Sequence, residues 1–391
     1  MNRSISKVAF RIALAVSLVP ASVSAATIKV GIIALMSGPY GQYGRAWSDG
    51  VKAYQKLNGV QVGADTIEVV FRDLPDSNPA QARSLAQELI IKDKVLYLGG
   101  VTFSPDAIAV AQVAEEAKVP FVVIGAASSA ILDKSEFVLR SGNTVAQLTV
   151  PVAKYAAESN LKRVVTMVAD YVTGVDAEAA FAKGLTEAGG QVVERIRVPM
   201  KTADFGPFMQ TAKSLNPQAV FVFFPGGQPA ISAIRSFADN GLKADGIRLL
   251  GTTETAEIDL PSIGDAAIGM KTGMWYAPQR GGDVNAAFLK AVREATLESV
   301  VSYPTVAAFD AMHIVYSMIK ATGDVKNGDK AMQSVKGLSW ESPRGPVTID
   351  AKSRDLIQNI YIREVAKDAT GALYNREIKT YEAQPDYGRA R

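Results

Sequence analysis

Four hydroxyl groups in one segment of this chain could bind a small anion: those of Thr102, Ser104, Ser128 and Ser129. Glycines beside them expose backbone amides, and Asp106 is the only acid in the two short stretches that carry these hydroxyls. Hydroxyls and amides at the start of a helix suit a carboxylate, because that end of a helix carries partial positive charge. The pattern therefore indicates a site that holds an anion and does not cleave it.

Two strands and the helix between them would position these hydroxyls. Residues 95–98 and 121–124 are short apolar runs typical of buried strands, and the intervening helix begins at Ser104 and Pro105. In an open parallel sheet, ligands bind in the crevice beyond the carboxyl ends of the strands. Alternatively, Ser104 only caps its helix, with Pro105 at the first helical position. The residues alone leave both roles open.

The amino terminus has the layout of a secretory signal peptide. Arg3, Lys7 and Arg11 precede the apolar run 12–19, and the small-residue stretch ASVSAA follows. The apolar run is too short to cross a bilayer, which takes about 20 residues. We predict a cleavable signal peptide over residues 1–25 and a protein located in the periplasm.

Charge and cysteine content exclude several classes of function. The formal net charge of +3 disappears when the three basic residues of the predicted leader are removed, so no nucleic-acid partner is expected. The chain has no cysteine, which excludes disulfides and a thiolate nucleophile. A length of 391 residues indicates two domains at roughly 150 residues each.

Strand and helix patterns alternate twice along the chain. One series occupies residues 27–124 and a second of the same kind occupies 163–250, whereas helices and then strands dominate after residue 270. This order predicts an α/β fold of two lobes, each a parallel sheet flanked by helices, joined by a hinge of several crossovers. The predicted lobes are residues 26–141 with 277–343, and residues 142–276 with 344–391.

Several motifs, in this order and spacing, resemble one family along essentially the whole predicted mature chain: KVGIIALMSGPYGQYG, LGGVTFSPDAIAV, VPFVVIGAASSAIL, DYVTGVDAEAAFAKGLTEAGG, FFPGGQPAISAIRSFADNGL and YPTVAAFDAMHIVYSMIKA. The chain resembles the type I periplasmic solute-binding proteins, specifically the leucine/isoleucine/valine-binding family that serves ABC transporters. The resemblance implies two Rossmann-like lobes around a ligand cleft. It also implies a monomer without cofactors that passes a small solute to an ABC permease in the inner membrane.

The resemblance assigns ligand-binding roles in the first lobe. Members of the family hold the carboxylate and α-amino group of their ligand with a serine, an alanine and a threonine, which match Ser104, Ala126 and Ser128 here. Serine in place of threonine at 128 keeps the hydroxyl. A tyrosine of the first loop matches Tyr43.

The second lobe departs from the family pattern. Thr173 stands where the family often has tyrosine, although Tyr171 could substitute, and Gln228 replaces another tyrosine. The acid that pairs with the ligand ammonium falls at Thr253 or, with a shift of one residue, at Glu254. These departures leave recognition of an amine open.

Two ligand classes follow from that ambiguity. If Glu254 faces the ligand, we expect a branched-chain or other hydrophobic amino acid. If Thr253 does, a buried ammonium would lack a partner at a cost of several kcal/mol, and the site would prefer an organic acid without an amine. Five aromatic residues could then provide walls for a ring: Tyr40, Tyr43, Tyr171, Trp275 and Tyr276.

The chemistry needed for catalysis is not offered by the sequence. His313 is the only histidine and lies among apolar residues at helical spacing, and no G-x-S-x-G motif occurs. Without a cluster of histidine and cysteine, no metal site is expected. We therefore expect a receptor and no enzyme; a periplasmic sensor that reports its ligand to a signalling protein is the alternative of a different class.

Overall fold

The computed structural model describes residues 25–296, 300–323 and 327–389, so the predicted signal peptide lies outside the described residues except for its last position. The strands of this part of the chain are β1 (Thr27–Ala34), β2 (Gln61–Val62), β3 (Asp65–Asp73), β4 (Tyr97–Gly100), β5 (Phe121–Val123), β6 (Val138–Arg140), β7 (Arg163–Ala169), β8 (Gln191–Val198), β9 (Ala219–Phe223), β10 (Arg248–Gly251), β11 (Lys271–Met274), β12 (Ser339–Ser342), β13 (Gly345–Ile349), β14 (Leu356–Lys367) and β15 (Leu373–Gln384). The α-helices are α1 (Gly41–Asn58), α2 (Pro79–Ile91), α3 (Ser104–Ala117), α4 (Val145–Glu158), α5 (Val172–Glu187), α6 (Gly206–Ser214), α7 (Gln228–Asp239), α8 (Leu260–Ile263), α9 (Asp283–Ala295), α10 (Tyr303–Thr322) and α11 (Gly328–Ser334). None of these helices combines the length and apolarity that crossing a bilayer requires.

The first sheet has the strand order β2-β3-β1-β4-β5-β6 and is parallel except for the short hairpin of β2 and β3. Helices cover both faces, which is why β1 is a nearly continuous apolar run. β3 lies on one side of β1, while β4, β5 and β6 lie on the other. The connections after β1 and β4 therefore diverge at a topological switch point, where ligands of open α/β sheets bind.

The second sheet has the order β12-β13-β14-β11-β10-β9-β7-β8, with β15 paired to β14. Its strands β7 to β11 are parallel and repeat the switch point between β7 and β9. The two-lobed α/β fold is thus confirmed, although the second sheet is mixed because the last four strands form antiparallel hairpins. The lobe boundary predicted at Arg344 falls inside the hairpin of β12 and β13, since Ser342 pairs with Gly345.

Three chain crossovers join the sheets, and Arg344 contacts the first two of them. The first follows β6, the second follows β11, and the third precedes β12. The Arg344 guanidinium donates to the Ser141 carbonyl of the first at 2.9 Å and lies 3.6 Å from the Trp275 ring of the second. It also forms a 2.6 Å ion pair with Asp310 of α10, and both side chains are at most 1% exposed. The hinge is therefore a packed structure and not a loose linker.

We expect Arg344→Met to lower the free energy of unfolding by about 3–5 kcal/mol, because it leaves the buried Asp310 carboxylate without its cation. Chemical denaturation measures this directly. Lys290→Met is the matched control, since its ion pair with Glu294 lies on the surface of α9 and should leave the denaturation midpoint nearly unchanged. Equal midpoints for the two variants would show that the hinge does not depend on this pair.

Candidate functional site

A cavity of about 100 Å³ lies between the two sheets, beyond the carboxyl ends of their parallel strands. It is built from the connections after β1, β4, β5 and β6 in the first sheet and after β7, β9 and β10 in the second, together with the starts of α4 and α10. The residues that line it are Leu35, Tyr40, Tyr43, Trp47, Thr102, Phe103, Ile124, Gly125, Ala127, Asn143, Val145, Leu148, Tyr171, Thr173, Phe223, Phe224, Pro225, Gly226, Thr253, Tyr303, Pro304 and Ala307. Both switch points thus supply walls of one cavity, as the topology requires.

Aromatic rings form much of the cavity wall. Tyr40 meets Phe103 edge-on with centroids 5.6 Å apart, and Tyr171 stacks on Phe223 at 6.5 Å. Burial raises the pKa of Tyr171, so this side chain is a neutral phenol at physiological pH. Flat apolar walls with phenol groups at their edges favour a ring-bearing ligand over a branched aliphatic one.

Helix starts surround the cavity. Five helices, α1, α3, α4, α5 and α10, begin at its wall, and the start of a helix carries partial positive charge and unpaired N–H groups. No Asp, Glu, Lys or Arg occurs among the described residues that line the cavity. A carboxylate placed here would therefore be held by neutral donors and helix starts.

Two polar side chains are poised in the wall. The Oγ1 atom of Thr102 is buried and has no hydrogen-bond partner within the described chain, so a ligand can supply one. The amide oxygen of Asn143 accepts from the Trp275 indole N–H at 2.8 Å, which fixes the orientation of the amide. Trp275 is the ring on which Arg344 lies, and the hinge thereby reaches the cavity.

The first-lobe residues predicted to bind the ligand are brought together, but only Tyr43 lines the cavity. The hydroxyl of Ser104 accepts from the Ser128 N–H at 3.2 Å and lies 3.0 Å from the hydroxyl of Thr173 across the cleft. The hydroxyl of Ser128 donates to Asp176 of α5 at 2.7 Å. Both serines therefore contact the second lobe.

The main chain around Ala126 is hydrogen-bonded to a buried arginine on the side away from the cavity. Its carbonyl accepts a hydrogen bond from the Arg140 guanidinium, which also binds the Ser128 carbonyl at 2.9 Å and the Asp355 carboxylate at 2.7 Å. Arg140 is completely buried. Ala127, and not Ala126, contributes to the cavity wall. The loop after β5 is thus positioned by a buried cation that does not itself reach the cavity.

In the second lobe, Tyr171 and Thr173 line the cavity and Gln228 does not. The Gln228 amide is exposed and donates to Ser232 at 2.9 Å, one turn further along α7. The placement of Gln228 in the site is therefore corrected. The reason is that Gly226 forms the wall and Gly227 caps α7, so that α7 begins outside the wall.

Thr253 lines the cavity, whereas Glu254 turns away from it. The Glu254 carboxylate is fully buried and accepts backbone N–H groups of Thr252 at 2.5 Å and Phe224 at 3.1 Å. Burial is the main cause that raises the pKa of Glu254 to about 7, and these hydrogen bonds oppose the rise. Glu254 thus stabilises the loop that carries Phe224 and is not aimed at a ligand amine.

Two of the aromatic residues expected to line the cavity lie outside it, and several aromatic residues that do line it were not predicted from the sequence. Trp275 and Tyr276 are buried in the second crossover, where the Tyr276 hydroxyl binds Asn285 at 2.9 Å. The wall residues without a prediction include Trp47, Phe103 and Tyr303. One sequence feature could have indicated Tyr303. The run Ser302, Tyr303, Pro304 is typical of a helix start, and helix starts can lie at a cleft.

No alternative centre of chemistry emerges elsewhere. Over residues 25–296, 300–323 and 327–389, no group of three or more metal-ligating side chains could hold an ion. His313 stacks on Trp340 with centroids 4.9 Å apart, and burial lowers the pKa of its imidazole. The interlobe cavity is therefore the candidate site.

Comparisons with known proteins agree on the family to which this chain is similar. A family model described as periplasmic binding protein matches residues 27–371. A Brucella melitensis protein named Leu/Ile/Val-binding protein homolog 6 is 45% identical over 374 residues, which cover 95% of this chain and 96% of that protein. An ABC transporter solute-binding protein from R. palustris, solved with 4-hydroxybenzoate, is 44% identical with a TM-score of 0.91 and coverage of 93% and 99% of the two chains. One from Rhodopseudomonas palustris BisB5, solved with 3,4-dihydroxy benzoic acid, is 38% identical with a TM-score of 0.87 and the same coverage.

We expect Glu254→Gln to flatten the pH dependence of folding stability. A carboxyl whose folded pKa is raised from 4.5 to about 7 stabilises the fold fully below pH 4.5, and this contribution is lost as the pH rises through about 7. The loss is on the order of 3 kcal/mol. Denaturation midpoints measured across this range should fall with pH in the parent protein by more than in the variant. An equal fall of the midpoint with pH in both proteins would show that Glu254 does not cause the pH dependence.

Proposed function

Because the chain belongs to the periplasmic binding protein family, we propose that it captures a single-ring aromatic carboxylate between its lobes and delivers it to an ABC permease. The observation that carries the proposal is an aromatic cavity, without charged side chains among its described lining residues, at the convergence of five helix starts. Glu254, the acid expected as the partner of an amine, instead accepts backbone N–H groups.

The size of the cavity sets the size of the solute. A cavity of about 150 Å³ holds one benzene ring, so the roughly 100 Å³ here has no room for two rings, and the wall must adjust slightly to admit one ring with its carboxylate. Among the similar proteins, one was solved with 4-hydroxybenzoate and one with 3,4-dihydroxy benzoic acid. These ligands have the chemistry that this cavity favours, whereas the name of the Brucella relative refers to aliphatic amino acids.

We propose that the carboxylate binds the Thr102 hydroxyl and the first-turn N–H groups of α3 and α5. Ser104 and Ser128 would then position these helix starts through their contacts with Thr173 and Asp176, and would not themselves bind the solute. The ring would lie against Tyr40 and Tyr171. Closure of the lobes would exclude water and strengthen every hydrogen bond to the anion.

We expect 4-hydroxybenzoate to raise the melting temperature of the purified mature protein and leucine to leave it unchanged. At about 100 times the dissociation constant, a ligand that binds only the folded state adds about 2.7 kcal/mol of stability. Two matched compounds test the chemistry: p-cresol lacks the carboxylate, and 4-(aminomethyl)benzoate adds an ammonium. Neither should bind comparably. Stabilisation by leucine, isoleucine or valine instead would overturn the proposal in favour of amino-acid transport.

We expect Thr102→Val to weaken binding of 4-hydroxybenzoate about 10-fold or more, because a charge-assisted hydrogen bond is worth about 1.5–3 kcal/mol. Isothermal titration calorimetry gives the ratio. Thr166→Val is the matched control, since Thr166 is a fully buried threonine of β7 outside the cavity wall. Its affinity should equal that of the parent. Equal affinities for all three proteins would remove Thr102 from the carboxylate site.

A further inference from the structure

Asp259 joins the two lobes at the edge of the cavity. This residue precedes α8 of the second lobe and is 1% exposed. Its carboxylate accepts the hydroxyl of Tyr43 at 2.7 Å and the side-chain amide of Gln42 at 2.6 Å, both from α1 of the first lobe. It also accepts the Gly227 N–H of its own lobe at 2.9 Å. We call this set, Asp259 with Gln42, Tyr43 and Gly227, the Asp259 latch.

The latch differs from the bonds that join α5 to the first lobe. Ser104 meets Thr173 as a neutral pair, and the Ser128–Asp176 bond supplies one donor to a carboxylate. Asp259 instead receives three donors, two of which belong to the opposite lobe. Hydrogen bonds to an ionised group are shorter and stronger than neutral ones. None of the three requires a solute, so the latch can act on the empty protein.

Tyr43 has two functions in this geometry. Its ring lines the cavity, while its hydroxyl donates its proton to Asp259 and is thus committed to the latch. A closed cleft therefore fixes one aromatic wall before a solute arrives. A site that is already formed binds more tightly, because the apparent affinity scales with the fraction of protein in the competent state.

We propose that Asp259 is a positioning residue that holds the lobes closed through Gln42 and Tyr43, so that the closed form is populated without solute. The effect on affinity rests on the proposed function, whereas the effect on closure does not. Opening the cleft separates Asp259 from both first-lobe donors and exposes its carboxylate to water. The balance between these bonds and that hydration sets the closed fraction.

Gly226 supplies a way to prevent closure without touching Asp259. A Cβ atom at this position would overlap the hydroxyl of Tyr43 from the opposite lobe and lie 3.3 Å from Asp259. The Gly226 backbone does not have a positive φ, so alanine is compatible with its conformation. The clash arises only when the lobes meet, and Gly226→Ala therefore provides an open reference that should fold normally.

The test measures the interlobe distance in solute-free protein. The chain contains no cysteine, so Gln81→Cys in α2 and Lys183→Cys in α5, both exposed, accept a dye pair for single-molecule energy transfer. We expect a short-distance population in the parent, its loss in Gly226→Ala, and a marked decrease in Asp259→Asn. Tyr43→Phe removes one donor and should fall between the parent and Asp259→Asn. Melting curves confirm that each variant is folded.

Affinity for 4-hydroxybenzoate forms the second arm, with an expected loss of about 10-fold or more in Asp259→Asn. If the acid does not bind the parent but Asp259→Asn still opens the empty protein, the proposed function fails and the latch stands. If the acid binds the parent, and Asp259→Asn changes neither distance nor affinity, the latch alone fails. Equal interlobe distances in the solute-free parent and in Gly226→Ala would also overturn the proposed latch.

Discussion

The gathering of helix starts at one gap between the two sheets is the constraint on which the site depends. Parallel strands end at one edge of each sheet, and the helices that follow β1, β4 and β7 begin there. Two sheets that face each other with these edges bring the starts of α1, α3 and α5 to one gap, which the starts of α4 and α10 also reach. Since no described cavity residue is an acid or a base, the proposed carboxylate would be held by helix starts and neutral donors.

Much of the fold followed from the sequence because local and global signals agree. The apolar runs of β1, β4 and β5 and their polar carboxyl ends identified a parallel sheet and the edge at which a ligand would bind. Strands were predicted for the last part of the chain, but neither β12 nor its place in the second sheet was predicted. Pairing of β12 with β13 depends on a turn at Pro343 and Arg344 and on buried contacts of Arg344, which periodicity does not report.

The candidate site was less predictable because side-chain direction is decided by tertiary contacts. Ser104 and Ser128 come close together as expected, yet their hydroxyls are directed to the opposite lobe by Thr173 and Asp176. Thr253 and Glu254 are adjacent in sequence, and only the backbone N–H groups of Thr252 and Phe224 decide which of them turns inward. Residue type alone could not show that Trp275 packs in the hinge while Tyr303 lines the cavity, since both are large aromatic residues.

The absence of an ion pair in the described cavity wall has a consequence for the hand-over of cargo. A ligand anchored by a buried salt bridge must lose a strong charge–charge contact before it can depart, and that step slows dissociation. The proposed anion, held by helix starts and hydroxyls, would regain water as soon as the lobes separate. The rate of opening would then set the residence time, and a transporter that separates the lobes would control delivery without competing for the solute itself.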